Sequence, residues 1–335
     1  MKRSVSEDSV TPLQKDTTLH LDTDRFKPGT ISRVQIPIAN LYVQVPLEMT
    51  VVVVQGMAPG PRLMVSAAVH GDEINGIFSI KDILRSIDPK KLTGTVALVP
   101  VVNMFGVINQ TRYLPDRRDL NRSFPGSAKG SMAACLAHTF MNRIVKKATH
   151  MIDLHTAAIH RTNWPQVRAN LDDPETLRLS KAFGANIMIH ANERDGSLRQ
   201  AATKRGMPSI LFEGGAALRH NKDAVKMGFE GTMRVLKALG MYDAKVSPPR
   251  KSVRAEKSSW VRAEQSGFFV PDSVCGDRVK KGEVIGKVFL RLHKNFSPTV
   301  EKEVLSPCDG FVIGFTENPM VYQGDALIHV AKIGR

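Results

Sequence analysis

The sequence predicts an α/β protein with a mostly parallel or mixed sheet carrying helices on both faces, followed by a small all-β module. Three observations predict it. Up to Met241, apolar segments of strand length alternate with segments of helical spacing, the pattern of a sheet buried on both faces. Residues 244–258 then hold two prolines and many charges, a linker composition. Beyond Ser259 the apolar runs shorten and are separated by Gly, Pro and Asp, as in small all-β modules.

Each element has its own reason. Residues 1–30 are polar and carry little pattern. Thr30–Pro37 alternates and Leu47–Val54 holds a valine run, so both read as strands. Residues 56–61 (GMAPGP) read as a turn. Arg62–Val69 is a short apolar strand candidate, and Ile74, Ile77, Ile80, Ile83, Leu84 and Ile87 then recur at helical spacing. Thr95–Val102 is a further apolar strand, and 103–130 reads as a long polar loop. Ser131–Ala148 is helical, His150–His155 a strand and Leu171–Phe183 a helix, and 160–168, close after His155, reads as a surface loop or as a segment lining a pocket. Ala185–His190 and Ser209–Phe212 read as strands, with a helix over Ala216–Leu239. The last module holds strand candidates at 259–264, 267–270, 284–289, 303–306, 310–315 and 326–331. The expected division is therefore a polar segment at 1–30, a catalytic-type domain at 31–243, a linker at 244–258 and a small β domain at 259–335.

Composition narrows the class of protein. Hydrophobic residues make up 42% of the 335 positions, enough for a real core rather than a disordered chain. Lys and Arg outnumber Asp and Glu 47 to 32, a formal charge of +15, which favours anionic partners. Cys135, Cys275 and Cys308 are too scattered for a disulfide framework or a CxxC zinc site and fit a reducing compartment. No signal-peptide segment follows the first charges, and no apolar run reaches the roughly 18 residues of a membrane helix. A cytoplasmic protein with no membrane association is expected.

Chemistry concentrates at strand ends. His70-Gly71-Asp72-Glu73 sits between an apolar strand and a helix, where two side chains three apart converge above the sheet edge. His155 ends another strand in Asp153-Leu154-His155-Thr156. Two His and one Glu form a three-ligand zinc set with an open position, and zinc held so polarises a carbonyl and activates water. An HxxE alone also arises by chance, and a buried His is commonly structural. Asp72 and Asp153 neighbour the ligands; either could orient an imidazole or simply be a solvated or capping carboxylate.

The loop from Thr111 to Gly126 is rich in arginine. Guanidinium forks match carboxylates, so Arg112 can polarise a carbonyl while Asn121 and Arg122 grip a carboxylate. A solvated basic loop is the plainer reading, but structureless loops of this length are often functional. Glu213 ends an apolar strand ahead of Gly214-Gly215; it can carry a proton as general base or cap the next helix. Arg168 is a further candidate carboxylate donor.

At these residues the chain resembles the succinylglutamate desuccinylase/aspartoacylase family, relatives of the zinc carboxypeptidases. The matches are HGDE at 70–73, TRY with DLNR and FPG within 111–126, DLHT at 153–156 and FEGG at 212–215, in the family's order. The resemblance covers roughly 30–240 and extends to a small C-terminal β domain. It implies a zinc carboxypeptidase-like fold and one zinc per chain on His70, Glu73 and His155. It implies Arg112 as oxyanion stabiliser, Asn121 and Arg122 as carboxylate clamp, and Asp119 as the residue holding these arginines. It also implies Glu213 as general base and acid, and Tyr322 as the tyrosine that closes over the substrate. One departure stands out: Arg112 and Asp119 are two residues further apart than in aspartoacylases. Residues 259–333 are similar to biotinyl and lipoyl carrier domains of barrel-sandwich form, but the turn at 317–320 has no carrier lysine.

The expected function is zinc-dependent hydrolysis of the amide bond of an N-acyl amino acid or related small, carboxylate-bearing amide. The expected partner is that small anionic substrate, acylated amino acid or peptide-like, and the sequence leaves room for a homo-oligomer. A metallocarboxypeptidase acting on short peptides is the alternative of the same chemistry. A nucleic-acid-binding protein is the alternative of another class, motivated by charge and opposed by 6% aromatics and no RNA-binding motif. His and Glu ligands also accept manganese, cobalt or nickel.

Overall fold

The computed structural model describes residues 10–15 (backbone only), 25–192, 194–290 and 301–334. Most of the polar segment at 1–30 thus lies outside the described residues, but Val10–Lys15 within it forms strand β1, parallel to β2 (Thr30–Asn40). β2 turns into β3 (Pro46–Gln55), and β4 (Ala58–Ala67) follows after only two residues. The expected turn at 56–61 is therefore mostly strand. Ala58 already pairs with Thr93, and Gly60 packs against Gly94 where a side chain would not fit.

Helix α1 (Asn75–Ser86) leads to β5 (Thr93–Val99). The 103–130 segment is not structureless: Asn103 caps α2 (Met104–Ile108), and Asp119 caps a single helical turn at Leu120–Arg122. α3 (Met132–Arg143) starts where Ser131 accepts from Ala134 N–H, as an N-cap should. β6 (His150–His155) and β7 (Arg161–Ala169) follow. The 160–168 segment is thus a strand rather than a surface loop, because both its edges are paired. α4 (Pro174–Phe183) begins at Pro174, after the Asp173 cap, rather than at Leu171. After β8 (Ile187–His190) comes a short helix the pattern did not predict, α5 (Leu198–Thr203). β9 (Ser209–Ala216) runs four residues beyond Phe212, because Gly215 and Ala216 pair with β7, and α6 (Lys222–Ala238) starts later in consequence.

The sheet is mixed. At its centre β5, β4, β6 and β9 are parallel, while β3 and β7 flank them antiparallel. Alternate residues serve two cores. Val51, Val53, Met64 and Met151 pack with α3 and α5 on one face. Val52, Val54, Leu63, Val65 and Ile152 pack with α1, α4 and α6 on the other. Helices on both faces are thus what the apolar strands require.

The remaining strands are β10 (Val253–Arg262), β11 (Gly267–Pro271), β12 (Arg278–Val279), β13 (Val284–Phe289), β14 (Glu301–Leu305), β15 (Gly310–Thr316), β16 (Met320–Val321) and β17 (Ala326–Ile333). β14, β13, β11 and β16 form a separate four-stranded sheet over a core with Phe269, Ile285, Val288 and Leu327. The others join the main sheet, which holds thirteen strands among the described residues. β10 starts inside the expected linker and pairs parallel with β8 from Val253 onward. Its charges alternate with Val253 and with fully buried Ala255, so a composition count misread a strand with one inward face.

Those pairings close a ring. β7 pairs β8, β8 pairs β10, β10 pairs β17, β17 pairs β15, and β15 returns to β7. Ile187, Ile189, Ala255, Ile313 and Ala331 fill it, with Trp164 and Phe311 packed against them. Two strands of the first 190 residues and three of the last 83 therefore share one small barrel, and the late strands are not a free-standing appendage. Among the described residues, no helix is long and apolar enough to cross a membrane.

Candidate active site

Three parallel strands deliver the site at their C-terminal ends. After β4, Ala68 takes a positive φ of 50°, and the Ala67 and Ala68 carbonyls accept from Val102 and Asn103 N–H. This fixed turn presents His70. Gly71 passes so close to α2 that an added Cβ would sit 1.8 Å from the Gly106 carbonyl carbon. Glu73 follows just before α1, and His155 ends β6 beside it.

The cluster is buried and tightly bonded. His70, Glu73 and His155 are 3%, 2% and 4% exposed. One Glu73 oxygen lies 2.7 Å from His70 Nδ1, and the other lies 2.7 Å from His155 Nδ1. The outer nitrogens are held too. Asp153 Oδ2 is 2.7 Å from His155 Nε2, and Asp119 Oδ1 is 3.2 Å from His70 Nε2. Ser66 donates to the other Asp153 oxygen at 2.8 Å. Of the two carboxylates considered as orienters, Asp153 does this job. The Asp72 carboxylate is buried without a hydrogen-bond partner among the described residues, and its backbone carbonyl accepts from Leu218.

The electrostatics favour a cation at this point. Burial opposes charge on His155, but Asp153 and Glu73 outweigh it and hold its pKa well above the ordinary value. Burial likewise opposes charge on His70, and Glu73 and Asp119 raise its pKa. Burial would raise the Glu73 pKa, yet the two imidazoles keep it well below the carboxylate range. Ligand atoms of all three residues lie within 4.8 Å of one another. Both Nδ1 atoms face one carboxylate while carboxylates fix both Nε2 atoms. This donor set fits a divalent ion of the zinc type, with outer partners setting the ring tautomers.

Around this cluster lies a cavity of about 220 Å³, lined by His70, Glu73, His155, Arg112 and Glu213 among others. Asn121, Arg122 and Arg168 also reach it. Arg112 donates through Nε and Nη2 to Asp119 Oδ2, at 3.1 and 2.9 Å, and its Nη1 lies 3.3 Å from Glu73. Between Arg112 and Asp119 the chain makes a tight turn, in which Arg117 N–H bonds the Leu114 carbonyl and Leu114 N–H bonds the Arg118 carbonyl. Asp119 therefore anchors Arg112 directly, and it stands behind the cavity wall rather than in it. Burial would raise its pKa, but His70 and Arg112 hold it far below the usual value. Asn121 Oδ1 accepts from Leu198 N–H, which leaves its Nδ2 for the cavity.

Glu213 sits on β9 directly across from His155. Asn163 Nδ2 donates to one of its oxygens at 2.5 Å, and Arg168 Nε lies 3.7 Å from the other. The helix-cap reading of Glu213 fails, since Asn221 caps α6.

One expected residue is not there. Tyr322 is 78% exposed and does not line the cavity. Strand alternation explains this: Val321 points into the late-strand core, so Tyr322 points out. Trp260 and His329, paired across β10 and β17, line the cavity instead. Arg194 was also missed, as no local motif marks it, whereas Arg161 and Asn163 belong to the 160–168 segment and line the cavity, the second of its two readings. His329 alone left a trace, a lone histidine in the apolar strand ALIHVA.

The family model for the succinylglutamate desuccinylase/aspartoacylase catalytic domain matches residues 59–239. The chain belongs to this family. An N-alpha-acetyl-L-2,4-diaminobutyric acid deacetylase of Halomonas elongata is 24% identical over 334 residues, covering 96% of each chain. Solved structures of the family have the same fold. A succinylglutamate desuccinylase/aspartoacylase from Rhodobacter sphaeroides superposes with a TM-score of 0.79 at 27% identity, covering 90% of this chain and 93% of its own. The product-bound ectoine utilization protein of Ruegeria pomeroyi gives 0.80 at 21%, covering 90% and 95%. These alignments span both the family's catalytic region and the late strands.

Proposed function

We propose that this chain is a metal-dependent deacylase that hydrolyses the amide bond of an N-acyl amino acid. The observation that carries the reading is the buried His70–Glu73–His155 cluster with Glu213 opposite His155 and Arg112 beside Glu73. His70, Glu73 and His155 would hold one zinc ion per chain. That ion, when bound, supplies Lewis-acid polarisation of the carbonyl and lowers the pKa of water. A zinc carboxypeptidase-like arrangement and a cytoplasmic setting belong to the same reading.

The protein's own groups do the rest. Glu213 takes the proton of the attacking water and delivers it to the leaving nitrogen. Asn163 and Arg168 fix its carboxylate for both transfers. Arg112, anchored by Asp119, presents its guanidinium to the oxygen that becomes negative as the carbonyl turns tetrahedral. Asn121 Nδ2 and Arg122 grip a substrate carboxylate and so set the amide against Glu213. The Halomonas elongata relative, named as a deacetylase of an acylated amino acid, supports the same substrate frame.

The test pairs metal content with turnover. Protein purified without chelators should hold about one zinc per chain, and His70→Ala should lose it. Glu213→Gln should keep the metal and lose hydrolysis of N-acyl amino acids. Turnover that survives loss of the metal sinks the scheme. Release of C-terminal residues from short peptides, with N-acyl amino acids untouched, would move the activity to a carboxypeptidase.

A further inference from the structure

The clamp arginine sits among like charges. Arg112, Arg122 and Arg194 all line the cavity. Burial lowers the Arg122 pKa; Asp119 opposes this, and Arg194 and Arg112 add to it. Among the described residues Arg122 forms no salt bridge, and its Nη1 donates to the neutral Asn121 carbonyl. Repulsion between the guanidiniums pushes Arg122 out of place, so an uncharged contact has to fix its main chain.

That contact comes from the segment between β8 and α5. Gly196 has a φ of +71°, and its carbonyl accepts from Phe124 N–H at 2.9 Å. A Cβ added to Gly196 would sit 2.4 Å from the Arg122 carbonyl oxygen and 2.7 Å from the carbonyl carbon. Here two main chains touch with no side chain between them, and only glycine allows both that approach and the positive φ. Two residues on, Leu198 N–H donates to Asn121 Oδ1 at 2.9 Å, the bond that turns Asn121 Nδ2 to the cavity. Ser197, between them, caps α5 by accepting from Gln200 N–H, and Gly196 N–H donates to Gln200 Oε1. Arg199 donates to the carbonyls of Ala191 and Asn192 and so ties the start of the same segment to α5. Gly196 and Leu198 are not among the residues that line the cavity.

We propose that Gly196 and Leu198 are positioning residues of the carboxylate clamp, acting through the Arg122 main chain and the Asn121 side chain and touching no substrate themselves. The inference rests on the deacylase reading, which gives the clamp a substrate carboxylate to hold. Grip and chemistry are then separable. The brace bears on Asn121 and Arg122, while the metal ligands and Glu213 are held by other elements.

The test compares two glycines in the full, zinc-loaded chain. Gly206 has nearly the same φ, +72°, and an added Cβ there meets nothing within 4 Å. Gly206→Ala therefore carries the backbone strain without the contact. With N-acetyl-L-alanine as substrate, Gly196→Ala should raise KM at least about tenfold, with kcat falling less than about threefold. Zinc content should not change. Gly206→Ala should keep KM within about threefold of the wild type. Leu198→Pro removes the N–H that Asn121 accepts, at the first position of α5, where helices tolerate proline. It should raise KM in the same way, and it keeps the test decisive if Gly196→Ala misfolds. In an Asn121→Ala background, Leu198→Pro should raise KM less than about twofold further.

Three results overturn the positioning role while the wild type still turns over and the deacylase stands. They are KM within about threefold of the wild type in both brace variants, a Gly206→Ala effect as large as that of Gly196→Ala, and full additivity of Leu198→Pro with Asn121→Ala. A wild type that hydrolyses no N-acyl amino acid overturns the deacylase reading instead. N-acetyl-L-alanine then stays intact and is titrated calorimetrically. Binding to Gly196→Ala at least about tenfold weaker than to the wild type supports the brace. Equal affinity, or no binding to the wild type, overturns it.

Discussion

Replacing Asp153 by Asn should weaken metal binding while leaving the fold intact. The Asp153 side chain is fully buried, with Oδ2 at 2.7 Å from His155 Nε2 and Oδ1 accepting from Ser66 Oγ. Asn is nearly isosteric, and its Oδ1 can still accept from Nε2–H. What it loses is charge. A hydrogen bond to an ionised group contributes about 1.5–3 kcal/mol and a neutral one about 0.5–1.5, so the loss is about 1–2 kcal/mol. That corresponds to about 5–30-fold in zinc affinity, within the range typical of outer partners of metal ligands. Competition against a chelator of known affinity measures it. Ser66→Ala leaves the carboxylate charged and should lower affinity less than about fivefold. A circular dichroism spectrum matching the wild type, with Asp153→Asn affinity within about twofold, would refute the orienting role. A Ser66→Ala loss as large as that of Asp153→Asn would show that charge is not the cause.

Other perturbations follow from the same geometry. Glu213→Gln should cut turnover by about 10²–10⁴ with zinc content unchanged. Arg112→Ala should cut kcat by about 10²–10³; a change in KM alone would assign it to binding instead. Gly71→Ala drives a Cβ into the Gly106 backbone and should destabilise by at least about 2 kcal/mol, read as a lowered melting temperature. For metal-free protein the sign runs through three groups. His70 and His155 have raised pKa values, so their stabilisation is full below their ordinary 6.5 and is lost as pH rises through the raised values. Glu73 has a depressed pKa, so its share is present above 4.5 and is lost as pH falls through the lowered value. Melting in chelator should thus be highest between about pH 4.5 and 6.5 and decline toward pH 9, whereas zinc should raise the melting temperature more at pH 8 than at pH 6. Zinc protection that weakens with rising pH contradicts the ligand assignment. A chain ended at residue 250 should aggregate, since it uncovers the edges of β7 and β8 together with Ile187, Ile189 and Trp164.

The parts legible in the sequence are those set by local pattern. His70, Glu73 and His155 occupy strand ends, and strand ends are marked by where an apolar run stops. The two-faced core was legible because Val51 to Val54 are all apolar, which only a sheet covered on both sides tolerates. Arg112 and Asn121 were legible through their residue types in an arginine-rich loop, and Asp119 through the family motif that the loop resembles. The rest depends on pairings distant in sequence. Nothing near Arg161, Asn163, Trp260 or His329 announces that β7 meets β15, or that β10 meets both β8 and β17. Segment 244–258 read as a tether because strands with one inward face carry charges on the other. Tyr322 was misplaced by one position of register, which in a strand is a change of side.

The ring of β7, β8, β10, β17 and β15 also bears on how the protein is made. β17 is the last of the described strands to leave the ribosome, and neither Gly314 nor His329 exists when the metal ligands and Glu213 have already emerged. A nascent chain can therefore assemble His70, Glu73 and His155 while the far wall of its cavity is still being translated. During that interval β7 and β8 show unpaired edges, templates for association with other chains. Closure then joins residues separated by nearly half the chain, a slow kind of step for a polypeptide. Ligand capture and completion of the cavity wall would mature at different times, the first before the late strands emerge and the second only once they have.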